Sequence, residues 1–291
     1  MKTLPFTKVE AIGNNFVLVN ALGMPESAAA DWPALAAGMC AHRFGVGSDG
    51  LLALLPSGKA DFRLAMFNPD GTEDACGNGL RCAAVYIHAA GLSAKRDLTI
   101  EAKDGVRHTA IVPSADGSVS AKVNMGRPSL RPADIPANLD VDEVLNYPLD
   151  VGGDVYHVTA VQAGSPHAVI YAPLESFWER IPPVSADIEK HPAFPERINV
   201  TWCARESPES LRIRTWERGV GPTLGCGTGA CAALVAANLH GHASVRAGVI
   251  SPGGTLEIEW PDRADIFVTG PANIVFEGEW PLSGDAESMD P

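Results

Sequence analysis

Cys76-Gly77-Asn78-Gly79 recurs 150 residues later as Cys226-Gly227-Thr228-Gly229, and no other feature constrains the fold of this 291-residue chain as tightly. Each tetrad opens an alanine-rich stretch that ends in glycine, LRCAAVYIHAAG at Gly91 and ACAALVAANLHG at Gly241. Upstream, RLAMFNPDG (63–71) parallels RIRTWERGVG (212–221), pairing Phe67 with Trp216 and Asn68 with Glu217. VEAIGNNFVLVN (9–20) resembles VQAGSPHAVIYA (161–172) at an offset of 152. Four segments in one order at nearly one offset predict two homologous halves. Their boundaries are expected at 1–118 and 119–272, with 273–291 a strand returning to the first half and then a disordered acidic tail.

Within each half, short runs rich in branched residues read as strands: TKVEAIGNNFVLVN, GLLALLP and FRLAMFN, and later HVTAVQAG, AVIYAP and LRIRTWER. Helical stretches are few: 32–42, and the two central ones at 79–90 and 229–240, each followed by glycine at the position where helices terminate. Many strands with one long helix per half predict an α+β fold of two pseudo-symmetric domains, each a barrel-like sheet around a central helix.

A Cys-Gly-X-Gly tetrad at a helix mouth has a definite chemistry. The first turn leaves N–H groups without helical partners, and glycines let a ligand approach that backbone, so a carboxylate is welcome there. A cysteine at the same place feels the positive end of the helix dipole, which favours thiolate. If the halves face each other, two such thiols flank one bound anion. Inversion of a stereocentre needs that pair: a base removes a proton from one face of a carbon while an acid delivers one to the other.

The charge balance narrows the partners. With 22 basic and 35 acidic residues the chain carries −13, a field that repels phosphate backbones and anionic lipid, so neither nucleic acid nor membrane is an expected partner. No apolar run is long enough to span a bilayer. The N-terminus lacks the apolar core of a signal peptide, so the six cysteines are expected as reduced thiols in the cytoplasm. Their spacing contains no CxxC and no histidine cluster, which speaks against zinc. No complete GxGxxG or P-loop occurs. Cys82 and Cys231, inside the helices, are expected to pack as hydrophobes, as are Cys40 and Cys203.

The segments GNNF, FNPDGTEDACGNGLRC, GSPHAVI, FPERINV and ERGVGPTLGCGTGACA together resemble the motif set of the diaminopimelate epimerases, in order and over nearly the whole chain. That resemblance implies two α/β domains with the site in the cleft between them, and no pyridoxal phosphate or metal. It implies interconversion of LL- and meso-diaminopimelate on the way to lysine and peptidoglycan precursors, and an enzyme that is a homodimer. By motif matching, Cys76 and Cys226 would be the acid–base pair. Gly77, Asn78, Gly227 and Thr228 would bind the reacting carboxylate, and Asn14, Asn68, Ser165, Asn199 and Arg218 other polar groups of the substrate. Glu217 would sit at the reacting ammonium, and Glu217 and His167 would modulate the thiols. Three positions depart from the family pattern: Gly50 stands where some members carry glutamine, Ser165 replaces an amide, and Asn15 replaces a carboxylate. The alternative is a racemase of the same fold acting on histidine or another basic amino acid. A phenazine-type isomerase would lack the paired cysteines, and a mere binding protein would not need them.

Overall fold

The computed structural model describes residues 3–24, 31–113 and 119–282. The chain divides into two compact units, Met1–Ala121 with Ala272–Pro291, and Lys122–Pro271. The first unit contains β1 (Thr3–Ala11), β2 (Asn14–Asn20), α1 (Trp32–Cys40), β3 (Gly50–Leu55), β4 (Phe62–Phe67), β5 (Glu73–Asp74), α2 (Gly77–Ala89), β6 (Asp97–Ala102) and β7 (Gly105–Pro113). Strand β8 (Val119–Gly126) crosses the boundary. The second unit continues with β9 (Tyr147–Val151), β10 (Asp154–Gln162), β11 (Pro166–Tyr171), α3 (Ser185–Glu189), β12 (Asn199–Ser207), β13 (Ser210–Glu217) and β14 (Gly221–Thr223). It ends with α4 (Gly227–Leu239), β15 (Arg246–Ser251), β16 (Gly254–Glu259) and β17 (Ile266–Pro271), after which β18 (Asn273–Pro281) returns to the first unit and pairs with β1. The acidic tail expected beyond it lies outside the described residues.

The two units repeat one strand plan. In the first, β1–β2 is an antiparallel hairpin, β2 runs parallel to β3, β3–β4 is antiparallel, β4 is parallel to β6, and β6–β7 is antiparallel. In the second, β10–β11, β11–β12, β12–β13, β13–β15 and β15–β16 follow the same sequence of orientations. Each sheet wraps its own central helix. Helix α2 touches β1, β2, β3, β4, β7 and β18, and α4 touches β10 to β13 and β15 to β17. That enclosure explains the alanine-rich sequence: ten residues of α4 are buried, and only small side chains let so many strands approach one helix.

The registers refine the sequence repeat. Phe16 pairs with Gly50 at the start of β2–β3, and His167 pairs with Asn199 at the start of β11–β12, so Phe16 and His167 are equivalent and the offset there is 151. The one-residue difference from the sequence match arises in the hairpins. Val9 pairs with Phe16 seven positions on, through the two-residue turn Ile12–Gly13, whereas Val161 pairs with His167 only six positions on, so the second hairpin is one residue shorter. Both Ile12 (φ 50°) and Gly13 (φ 85°) are left-handed, the two-residue turn that matches strand twist, though with a β-branched residue where glycine or asparagine is usual.

Candidate active site

The structure starts both central helices two residues earlier than the sequence pattern suggests, because the glycines form the first helical turn and do not precede it. Cys76 and Cys226 are therefore the N-cap residues, with nearly superposable extended backbones (φ −141°, ψ 118° and φ −132°, ψ 114°). Their carbonyls accept the first helical hydrogen bonds, from Leu80 and Ala230, each at 3.0 Å. Neither cysteine side chain caps its helix, so the N–H groups of Gly77, Asn78, Gly227 and Thr228 belong to uncapped first turns. At the far ends, Gly91 (φ 63°) and Gly241 (φ 70°) close identical Schellman turns: their N–H groups bond His88 and Asn238, and those of Leu92 and His242 bond Ile87 and Ala237.

In the second unit, Cys226 opens onto a polar network. Its Sγ lies 3.3 Å from Thr228 Oγ1, which is 2.9 Å from His167 Nε2 and accepts a hydrogen bond from Ser165 Oγ at 2.9 Å. His167 is fully buried, and its Nδ1 is 3.0 Å from Thr201 Oγ1, itself 3.3 Å from Thr215 Oγ1. Burial, reinforced by the positive charge of Arg218, pushes the imidazole down to about 3, so it is neutral near pH 7. Gly229 must lack a side chain here, since a Cβ would come within 2.8 Å of Thr215 Oγ1 and 3.1 Å of Thr201 Oγ1.

Beside this network runs the turn carrying Glu217 and Arg218. The N–H of Val220 closes it on Glu217 O at 3.0 Å, and Thr223 donates to the Glu217 carboxylate at 2.7 Å. Asn199 is a brace: its Oδ1 accepts the Arg218 backbone N–H at 2.9 Å while its Nδ2 donates to Pro166 O at 2.8 Å and reaches Ser165 Oγ at 3.3 Å. The Arg218 guanidinium donates to Glu196 O at 3.0 Å.

In the first unit, Asn14 follows the Ile12–Gly13 turn, and its buried Oδ1 has no hydrogen-bond partner among the described residues. Asn15 is tied down differently: both its backbone N–H and its amide donate to Asp49 at 2.8 Å. Asn68 begins the turn after β4, its Nδ2 donating to Thr72 Oγ1 at 3.1 Å. Asn78 is 4% exposed and accepts from the fully buried guanidinium of Arg81 at 2.8 Å. Gly50 could not become glutamine without movement, since a Cβ would meet Phe67 O at 2.9 Å.

Cys40, Cys82, Cys203 and Cys231 are buried, and burial pushes the Cys82 thiol up strongly and the Cys203 thiol up to about 12. Sequence reasoning missed Thr201 and Thr215, although the two-residue strand period places each on the face of a residue it did find, Asn199 and Glu217. It also missed Arg81 and Glu189, whose charge gave no hint of complete burial. Among the described residues, no helix is long and apolar enough to cross a membrane.

Paired strand-rich units with a helix mouth apiece form a fold shared with solved structures of low sequence identity. A phenazine biosynthesis protein of the PhzF family from Bacillus anthracis superposes with a TM-score of 0.70 at 20% identity, over 97% of this chain and all of that one. A probable proline racemase from Agrobacterium radiobacter gives 0.68 at 14% identity, over 98% of this chain and 94% of the other. Residues 6–131 and 159–275 match the diaminopimelate epimerase family, and the chain belongs to it. It is 45% identical over 281 residues to the diaminopimelate epimerase of Desulforudis audaxviator, covering 95% of this chain and 99% of that one. The diaminopimelate epimerase of Pelotomaculum thermopropionicum is 42% identical, covering 95% and 98%. The chain is thus an isomerase of the epimerase type.

Proposed function

We propose that this enzyme interconverts LL- and meso-diaminopimelate by exchanging the proton on one α-carbon between Cys76 and Cys226. The observation that carries the reading is the pair of cysteines at N-caps of matched geometry, in a chain of this family. One sulfur, as thiolate, takes the α-proton, and the C–H electron pair passes toward the carboxylate. The other, as thiol, delivers its proton to the opposite face, and the two exchange roles in the reverse direction. The first-turn N–H groups of Gly77, Asn78, Gly227 and Thr228 hold the carboxylate as charge builds on it. Glu217 receives the reacting ammonium, and the unpartnered Oδ1 of Asn14 is an acceptor for a substrate N–H. Asn68 and Arg218, the latter held by Asn199, read the distal end, where a guanidinium matches a second carboxylate. Ser165 supports the site through Thr228 and His167, and His167 with Glu217 tunes the protonation of the thiols. The chemistry calls for no pyridoxal phosphate, because the thiol pair and the N–H groups do its work.

We place the enzyme in the cytoplasm, on its biosynthetic role. A homodimer is supported by the exposed apolar run Ile274, Val275 and Phe276 on β18, and sedimentation analysis tests it. The test of the reaction is incubation with LL-diaminopimelate in D2O without added pyridoxal phosphate. Uptake of one deuteron with growth of the meso isomer is expected. Folded protein that shows no uptake with this substrate overturns the reading, and histidine is then the first other amino acid to try.

A further inference from the structure

Glu189 ends the five-residue helix α3 and belongs to none of the motifs above. It is 3% exposed, and a carboxylate is not buried to that degree without strong partners. All of its polar partners lie in the segments that lead into the substrate-reading residues. The indole N–H of Trp216 donates to one carboxylate oxygen at 2.7 Å, and the backbone N–H of Gly219 donates to the other at 2.9 Å. Arg197 reaches that second oxygen at 3.4 Å, and the Glu189 carbonyl accepts the N–H of Ile198 at 3.1 Å. One residue thus grips the positions just before and just after Glu217–Arg218, and the position before Asn199. Burial alone would push this carboxyl up, but the indole, the Gly219 amide and Arg197 together bring it below the ordinary glutamate range, so the clamp is ionised.

We propose that Glu189 is a positioning residue for the substrate: its two oxygens hold the Trp216–Gly219 turn so that Glu217 and Arg218 meet the amino acid already in place. This rests on the epimerase reading above. The clamp works because a carboxylate accepts at both oxygens. Glutamine has the same shape but turns one of the two acceptors into a donor, which then faces an N–H.

The experiment compares wild type, Glu189→Gln, Trp216→Phe and the double variant on LL-diaminopimelate, with melting curves and amide hydrogen exchange at residues 217–221. For Glu189→Gln, KM is expected to rise about tenfold, kcat to fall less than about threefold, and exchange at Gly219 to accelerate. In the double variant the indole donor is gone and the glutamine oxygen can accept from Gly219, so KM is expected within about twofold of Trp216→Phe alone. A folded Glu189→Gln with wild-type KM overturns the inference, as does a double variant whose two effects simply multiply. If Glu189→Gln does not fold, Trp216→Phe decides: a raised KM with near-normal kcat supports the clamp, and an unchanged KM overturns it. Wild type that fails to turn over LL-diaminopimelate counts against the substrate reading, while exchange at Gly219 still reports on the clamp.

Discussion

The two helix mouths share their backbone and differ in everything beneath it. Under α4, the structurally equivalent positions of β11, β12 and β13 present His167, Thr201 and Thr215, joined by hydrogen bonds. Under α2, the same positions of β2, β3 and β4 present Phe16, Leu52 and Met66, all buried and apolar. The cap glycines report the same contrast: a Cβ at Gly229 would strike threonine hydroxyls, and one at Gly79 would strike Leu52 at 3.0 Å. Both mouths keep the thiol and the N–H cradle, which the proposed reaction asks for on both faces of a carbon. The floor was free to diverge, so the two cysteines work in different dielectric surroundings, one over a hydrophobic base and one over a hydroxyl–imidazole chain.

The comparison breaks first at the thiols. Cys76→Ala and Cys226→Ala are each expected to lower epimerisation by about a thousandfold or more with melting temperature nearly unchanged. Near-normal turnover in either would show that the mouths are not a working pair. Next come the floor swaps. His167→Phe takes one hydrogen-bond partner from each of the Thr201 and Thr228 hydroxyls in a buried site, and Phe16→His buries an imidazole against Leu52 and Met66. Each should cost about 2–4 kcal/mol in urea unfolding, and a fully stable Phe16→His would mean that the apolar floor is not selective. Acid separates the units more gently. The unfolded chain protonates His167 near 6.5 while the folded site refuses the proton until about 3, so stability falls as pH drops through that window. Thermal melts of His167→Gln should show a shallower decline there. In the first unit Asp61 is held down to about 2 by Lys95 and by two bonds from Thr99, each at 2.9 Å. Its contribution is present above 3.8 and fades only toward pH 2. The smallest effect is Thr201→Val, about 1–2 kcal/mol from an imidazole nitrogen left unbonded, with turnover lowered in proportion to the loss of His167 alignment.

Much of this was readable from the chain because duplication left paired signals. Cys76 and Cys226, Gly91 and Gly241, and the strands flanking them each vouch for the other, and the fold follows from their order. The floor was not readable in the same way. Thr201 and Thr215 look like ordinary strand residues until register places them against His167. Glu189 sits in a helix too short to have a periodicity, and the charge of Arg81 gives no sign of its burial until the strands are wrapped around it. Short or irregular strands also escaped: β5 has two residues, β14 three, and β9 contains a proline. Local pattern encodes which elements exist; which polar groups meet inside them depends on pairings between distant segments.

The return of β18 to β1 has a consequence for biosynthesis. Eight of its residues pair with β1 from Thr3 to Glu10, so the first unit takes its final strand from residues made after the whole second unit. On the ribosome the later-coded unit has its full complement of strands first, while β1 waits with one edge open. The N-terminal cysteine mouth is therefore the last part of the enzyme to be finished, and truncation shortly before residue 273 would leave a chain able to complete one half only.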